Sequence, residues 1–255
     1  MKAQFKYAFL AGLYFRGPVL AVVFVMNTIF ILLGSLGLLP IAAHITAVSL
    51  GGVAIAVMLA ANIGGDIAIA RRMFTAPVAY LHALTPVPRW KTLLAGIIAM
   101  TAMDLVSMTF VITAEVWLSF NLAGGGYWQM VWNYLRVSDP SMLLALVLWI
   151  PLAILAYYLL TIMIIMFCVT VKKSVFYTMP ASGLLAFLLA CACFYISSLL
   201  QLVLAPFSDV QRHLFFIMIS PGSNIAIPFL ILLVLLETAG LFIITSKLLE
   251  RKINL

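Results

Sequence analysis

The sequence predicts an all-α, polytopic membrane protein. It has six transmembrane helices, an N-terminal amphipathic helix at the inner interface and a short helix in a cytoplasmic loop. Three observations predict this. Of the 255 residues, 66% are hydrophobic and only 8% are charged, against about 25% charged in a soluble domain, and mean hydropathy is +1.24. Six apolar segments reach the roughly 20 residues that a helix needs to cross the hydrocarbon core: about 18–38, 46–69, 92–118, 143–171, 176–204 and 224–246. The basic residues sort to one side of these spans. Lys2, Lys6 and Arg16 precede the first; Arg71, Arg72, Arg89 and Lys91 lie between the second and third. Lys172 and Lys173 separate the fourth and fifth, and Lys247, Arg251 and Lys252 follow the sixth. These are 12 of the 14 basic residues, and only Arg136 and Arg212 fall on the other side. Positive loops face the cytoplasm, so both termini are expected there, in a bacterial-type inner (plasma) membrane crossed several times by one transmembrane domain, residues 1–255.

Each segment has a local reason. In residues 2–16, Phe5, Tyr7, Ala8, Leu10 and Tyr14 alternate with Lys2, Lys6 and Arg16 at helical spacing, the pattern of a helix lying along the membrane surface. Gly17-Pro18 offers a break before the first span; a plain inward extension of that span is the alternative. Lys6 and Arg16 interrupt the apolar run and no small-residue cleavage site follows, so a cleaved signal peptide is not expected. The second span ends in Asn62-Ile63-Gly64-Gly65-Asp66, which predicts an irregular inner end. In the loop 70–91, Thr75 can cap a helix that starts near Pro77. Val78, Tyr80, Leu81 and Leu84 give it an apolar face, and Pro86 stops it. Such a helix either docks a soluble partner or lies flat on lipid.

The outer loop 120–142 carries Gly124-Gly125-Gly126, expected to be flexible, and the interfacial aromatics Tyr127, Trp128, Trp132 and Tyr134. With the outer segment 205–223 it reads as half-inserted helix covering the outer ends of the bundle. Pro151 and Pro180 lie in or near spans four and five, where neighbours can satisfy the freed carbonyls.

The sequence excludes several chemistries. It has no nucleotide-binding loop and no His-Glu-x-x-His, and its three His are dispersed, so neither ATP hydrolysis nor a metal centre is expected on this chain. No His lies in any of the six spans to serve as base for Ser182, and the seven acidic residues are scattered. Cys168, Cys191 and Cys193 sit in apolar runs and read as small packing residues. The formal charge of +7 follows from topology, so no nucleic-acid partner is expected.

Acidic residues within spans are costly and often functional. Asp66 reads as an interfacial carboxylate paired with nearby Arg71 or Arg72, and Glu115 as able to snorkel outward. Asp104 and Glu237 are the intramembrane candidates, with no basic residue at similar depth in the sequence. They can be protonated, bond each other or Ser107 and Thr238, or face a water-filled path.

Taken in order, the chain resembles the permease subunits of type-2 ATP-binding-cassette (ABC) exporters. The resemblance rests on the six-span layout and on Leu84-Thr85-Pro86-Val87, followed by Arg89 and Lys91 and then Ala95-Gly96. Many members carry a Glu and a Gly-Thr before the loop helix, where this chain has Met73-Phe74-Thr75-Ala76-Pro77. The resemblance implies a pair of permease chains, as a homodimer or heterodimer, and separate ATPase subunits that bind ATP and magnesium. The loop helix, with Pro77, Val78, Tyr80, Leu81 and Leu84, then couples the ATPase to the spans. It implies export of a peptide, drug or lipid-like substrate and no cofactor on this chain. A haem-export or cytochrome-assembly permease and a non-transport assembly protein are the alternatives.

Overall fold

The structure is a computed structural model and describes residues 2–36, 43–73, 88–137, 148–176, 178–179, 181–204 and 226–252. Six long helices account for nearly all of them: α1 (Lys2–Ser35), α2 (Ala43–Met73), α3 (Arg89–Val137), α4 (Ile150–Ser174), α5 (Ser182–Leu204) and α6 (Ala226–Lys252). Each contains a stretch long and apolar enough to cross a membrane, from Phe9–Ser35 in α1 to Ile227–Glu250 in α6. Helices are what such a sequence must form, because lipid offers no partner to a backbone N–H or C=O.

The helix ends follow their punctuation. Pro151 and Pro228 lie in the first turns of α4 and α6, where no intrahelical N–H bond is forgone. Arg71 and Arg72 close α2, and Lys172 and Lys173 close α4, which places positive charge at the negative end of each helix dipole. At the start of α3 the Lys91 ammonium lies 5.4 Å from the centre of the half-exposed Trp90 ring, an arrangement suited to the membrane interface.

Four expectations are corrected. The break at Gly17-Pro18 does not occur: α1 is one helix of 34 residues with Pro18 inside it. Arg16, expected on the polar face of a surface helix, is fully buried. The end of α2 is regular, staying helical through Gly64 and Gly65 to Met73. The Gly124–Gly126 run, expected to be flexible, lies inside α3, whose 49 residues give it a length of roughly 74 Å. That exceeds a hydrocarbon core of about 30 Å more than twofold. The last helix, α6, runs through Lys247 and Arg251 to Lys252. The loop helix and its residues Pro77, Val78, Tyr80, Leu81 and Leu84 lie outside the described residues, as does the outer segment 205–223.

Two compact units are present. The first comprises Met1–Ile69 and Ala95–Val137, and so holds α1 with most of α2 and α3; the second comprises Ala70–Leu94 and Ser138–Leu255 and holds α4, α5 and α6. In the first, Val23, Met58 and Val111 meet as one apolar layer drawn from three helices, flanked by Leu20, Ile55 and Met108. In the second, α4 is the central helix. Its Ala156, Leu160, Ile164 and Cys168 pack with Val234 of α6, and Leu189, Ala190 and Cys193 of α5 lie against them. Cys168 and Cys193 thus act as small packing residues, and both are free thiols. Lipid is as apolar as leucine, so close packing, not exclusion of water, holds these layers together.

Packing therefore decides which truncations matter. Met58→Ala is expected to lower the stability of the folded chain by on the order of 2 kcal/mol through the cavity it leaves. Leu236→Ala, at a side chain 63% exposed, should change it by less than about 0.5 kcal/mol. Unfolding midpoints in mixed micelles measure both.

Candidate functional site

Three helical stripes converge in the first unit. On α1 the buried positions are Gly12, Arg16, Val23 and Asn27; on α2 they include Gly51, Met58, Asn62, Gly65 and Asp66; on α3 they include Asp104, Ser107, Val111, Glu115 and Leu118. Steps of three, four and seven keep each set on one face of its helix. The result is two polar layers separated by the Val23–Met58–Val111 layer.

The first polar layer is ionic. Arg16 is 0% exposed, and the Asp66 and Asp104 side chains are each 1% exposed. Arg16 Nη2 donates to Asp66 Oδ1 at 2.7 Å and to Asp104 Oδ1. Its Nε donates to Asn62 Oδ1 at 3.0 Å, and Nη2 also lies 3.4 Å from the Asn62 carbonyl oxygen. Ser107 Oγ is 3.0 Å from Asn62 Oδ1 and 3.0 Å from the Asp104 carbonyl oxygen. One guanidinium thus ties α1 to α2 and α3 at once. Removing one partner of such a buried pair typically costs about 3–5 kcal/mol, since the remaining charge stays buried and unpaired.

Glycine makes this possible. A Cβ on Gly65 would stand 2.9 Å from Arg16 Nη1 and 3.2 Å from Cζ, and one on Gly12 would stand 2.9 Å from Nη1. The guanidinium occupies space that any other residue at these two positions would fill. Gly64, one residue away on α2, meets nothing within 4 Å.

The second polar layer is smaller. Asn27 Nδ2 donates to Glu115 Oε1 at 3.1 Å, and Glu115 is 9% exposed. A Cβ on Gly51 would lie 2.8 Å from Glu115 Oε2, so α2 again yields space to a polar side chain.

A separate polar group lies in the second unit. Ser197 Oγ donates to Glu237 Oε2, and Gln201 Nε2 lies 3.5 Å from the same oxygen and 3.0 Å from Ser197 Oγ. Tyr157 Oη donates to Gln201 Oε1 at 2.7 Å. The Glu237 carboxyl is therefore held by two neutral groups of α5, one of which is held in turn by Tyr157 of α4.

These contacts correct the reading of the acidic residues. Asp66 pairs with Arg16, while Arg71 and Arg72 are exposed at the end of α2. Asp104 does have a basic residue at its depth, again Arg16. Glu115 is bonded inside the unit. Thr238 donates to its own helix at the Val234 carbonyl, 2.7 Å away, leaving Ser197 and Gln201 as the donors to Glu237. The missed members, Arg16, Asn27, Asn62 and Gln201, share one sequence signal: each is an isolated strongly polar residue bordering or inside an apolar run. No group of three His, Cys, Asp or Glu among the described residues could hold a metal ion.

Six membrane-length apolar helices, three of them joined through a buried ionic cluster, fit a polytopic helical membrane protein. No family model, curated protein or solved structure matches the chain.

The glycines give a paired prediction. Gly65→Ala forces the Arg16 guanidinium to move and should destabilise the chain by about 1–3 kcal/mol, the usual cost of overpacking. Gly64→Ala, in the same helix and in open space, should be neutral or stabilising by up to about 1 kcal/mol. Thermal unfolding of the two variants in detergent distinguishes them, and equal effects would show that Gly65 makes no room for Arg16.

Proposed function

We propose that this chain is the permease subunit of an ABC exporter, moving a peptide, drug or lipid-like substrate across a bacterial-type inner membrane. ATP and magnesium belong to a separate ATPase subunit, and two permease chains pair within the membrane lipids. The observation that carries this reading is the Leu84-Thr85-Pro86-Val87 stretch running into Arg89, Trp90 and Lys91 within a six-span chain whose basic residues cluster on one side. In support, α3 begins at Arg89, directly after that stretch, and α2 ends at Met73. The proposed coupling segment therefore joins the ends of two long helices.

The ionic cluster gives this arrangement a mechanical use. Asp66 lies seven residues before the end of α2, and Asp104 fifteen residues after the start of α3. At about 1.5 Å per residue these are roughly 10 Å and 22 Å along the helices. Force applied to the loop by an ATPase would travel along α2 and α3 and reach α1 through Arg16. Rigid helices tied by a buried ion pair move together; helices held only by apolar packing in lipid can slide.

Two measurements test the proposal. The tagged chain should co-purify with a protein carrying a nucleotide-binding loop. Tyr80→Asp or Leu81→Asp should leave the spans folded and cut substrate efflux at least tenfold while the partner still hydrolyses ATP. Full transport by both variants, or purification without any ATPase, would sink it.

A further inference from the structure

The cluster in the first unit does not balance electrically. Arg16 contributes one positive charge, and Asp66 and Asp104 contribute two negative charges if both are ionised. The other members, Asn62 and Ser107, are neutral. Arg71 and Arg72, the charged groups nearest along α2, are exposed. A net negative charge would then sit among side chains that are 0% to 1% exposed, in helices of membrane-spanning length and hydropathy. Low-dielectric surroundings penalise such a charge heavily.

A metal cation or a proton could restore balance, and the geometry separates them. A metal cation would have to lie beside a guanidinium already wedged between Gly12 and Gly65, with 2.9 Å from Nη1 to either Cβ position. An anion would add to the negative charge. A proton needs no volume. Asp66 Oδ1 and Asp104 Oδ1 both accept from the same Arg16 nitrogen, Nη2, so one donor gathers the two carboxyls and two full negative charges there would repel each other. One further group points into the cluster. Asn62 is fully buried and its Nδ2 has no protein acceptor. This unused donor belongs to the same side chain whose Oδ1 accepts from Arg16 Nε.

We propose that Arg16, Asp66 and Asp104 form a proton-binding site, in which one exchangeable proton is shared by the two carboxyls and Arg16 balances the remaining charge. Binding converts one carboxylate to a carboxylic acid with the proton taken from water, and release returns it, leaving the cluster with one net negative charge. The state of this proton sets the electrostatics between α1, α2 and α3. The inference rests on charge and burial alone and stands or falls separately from the exporter reading.

Infrared spectroscopy of the purified full chain in lipid vesicles at neutral pH is the test. The wild type should show the carbonyl stretch of a protonated carboxylic acid, shifted on exchange into D2O. Asp66→Asn and Asp104→Asn should each remove that component, because the carboxylate left behind pairs with Arg16 one to one. Both variants should keep their helical content by circular dichroism. Glu115→Gln and Glu237→Gln should leave the component in place. The proposal is overturned if the wild type lacks the band, if the band survives both Asp variants, if it disappears with Glu115 or Glu237 instead, or if neither Asp variant folds. The last result would show that both negative charges are required.

Discussion

A guanidinium fully removed from solvent is the constraint on which the first unit depends. Even on the most lenient scales, an arginine near the middle of a membrane helix costs about 2.5–3.5 kcal/mol, and an unpaired buried charge costs about 3–5 kcal/mol. Giving Arg16 its partners requires room, and α1 and α2 supply it with Gly12 and Gly65. A glycine inside a helix costs roughly 1 kcal/mol relative to alanine, so the two together cost less than an unpaired arginine. By magnitude, placing glycines and keeping the arginine paired is the better solution. The same comparison accounts for Gly51 beside Glu115, where a smaller polar group needs one yielding position.

The continuity of α1 follows from the same cluster. Proline inside a helix usually removes a hydrogen bond and kinks the chain, which is why Gly17-Pro18 reads as a boundary. In a bundle, the position of Pro18 matters less than that of Arg16, two residues before it. Arg16 meets Asp66 and Asp104 while Val23 and Asn27, on the same face, meet the next two layers. A break at Pro18 would separate these contacts onto two differently directed helices. The second unit solves its own polar problem without an arginine. Glu237 is surrounded by Ser197, Gln201 and, one step further, Tyr157, all neutral, and it is only partly buried.

The helices were legible in the sequence because their signals are local. Six apolar runs of sufficient length, with Lys and Arg at their ends, give six helices whatever their partners. The site was half legible. Asp104 and Glu237 stand out because ionisable residues in apolar runs are rare, and Cys193 reads as a small packing residue. Pairing was not legible, because it depends on the axial offset between helices. The basic neighbours Lys2 and Lys6 make Arg16 read as a membrane-surface residue, and from the surface it could not meet Asp104. Asn27 and Gln201 carry no charge and so stand out less from an apolar run, yet each bonds a carboxylate.

What the ionic layer contributes is register more than stability. Apolar layers such as Val23–Met58–Val111 are held by packing alone when the surroundings are lipid, and in lipid a slide of one turn, about 5.4 Å, exchanges one set of aliphatic contacts for another at modest cost. Arg16 has no such freedom. Its Nε and Nη2 groups reach Asn62, Asp66 and Asp104 at one offset of α1 against α2 and α3, and a slide of one turn would take the guanidinium out of the space left by Gly65. Buried ionic groups seldom increase net stability over a well-packed apolar core, and fixing register is their best-attested use. Three long apolar helices with weak preferences for alignment need such a device, and the Arg16 cluster provides it, seven residues before the end of α2 and fifteen residues into α3.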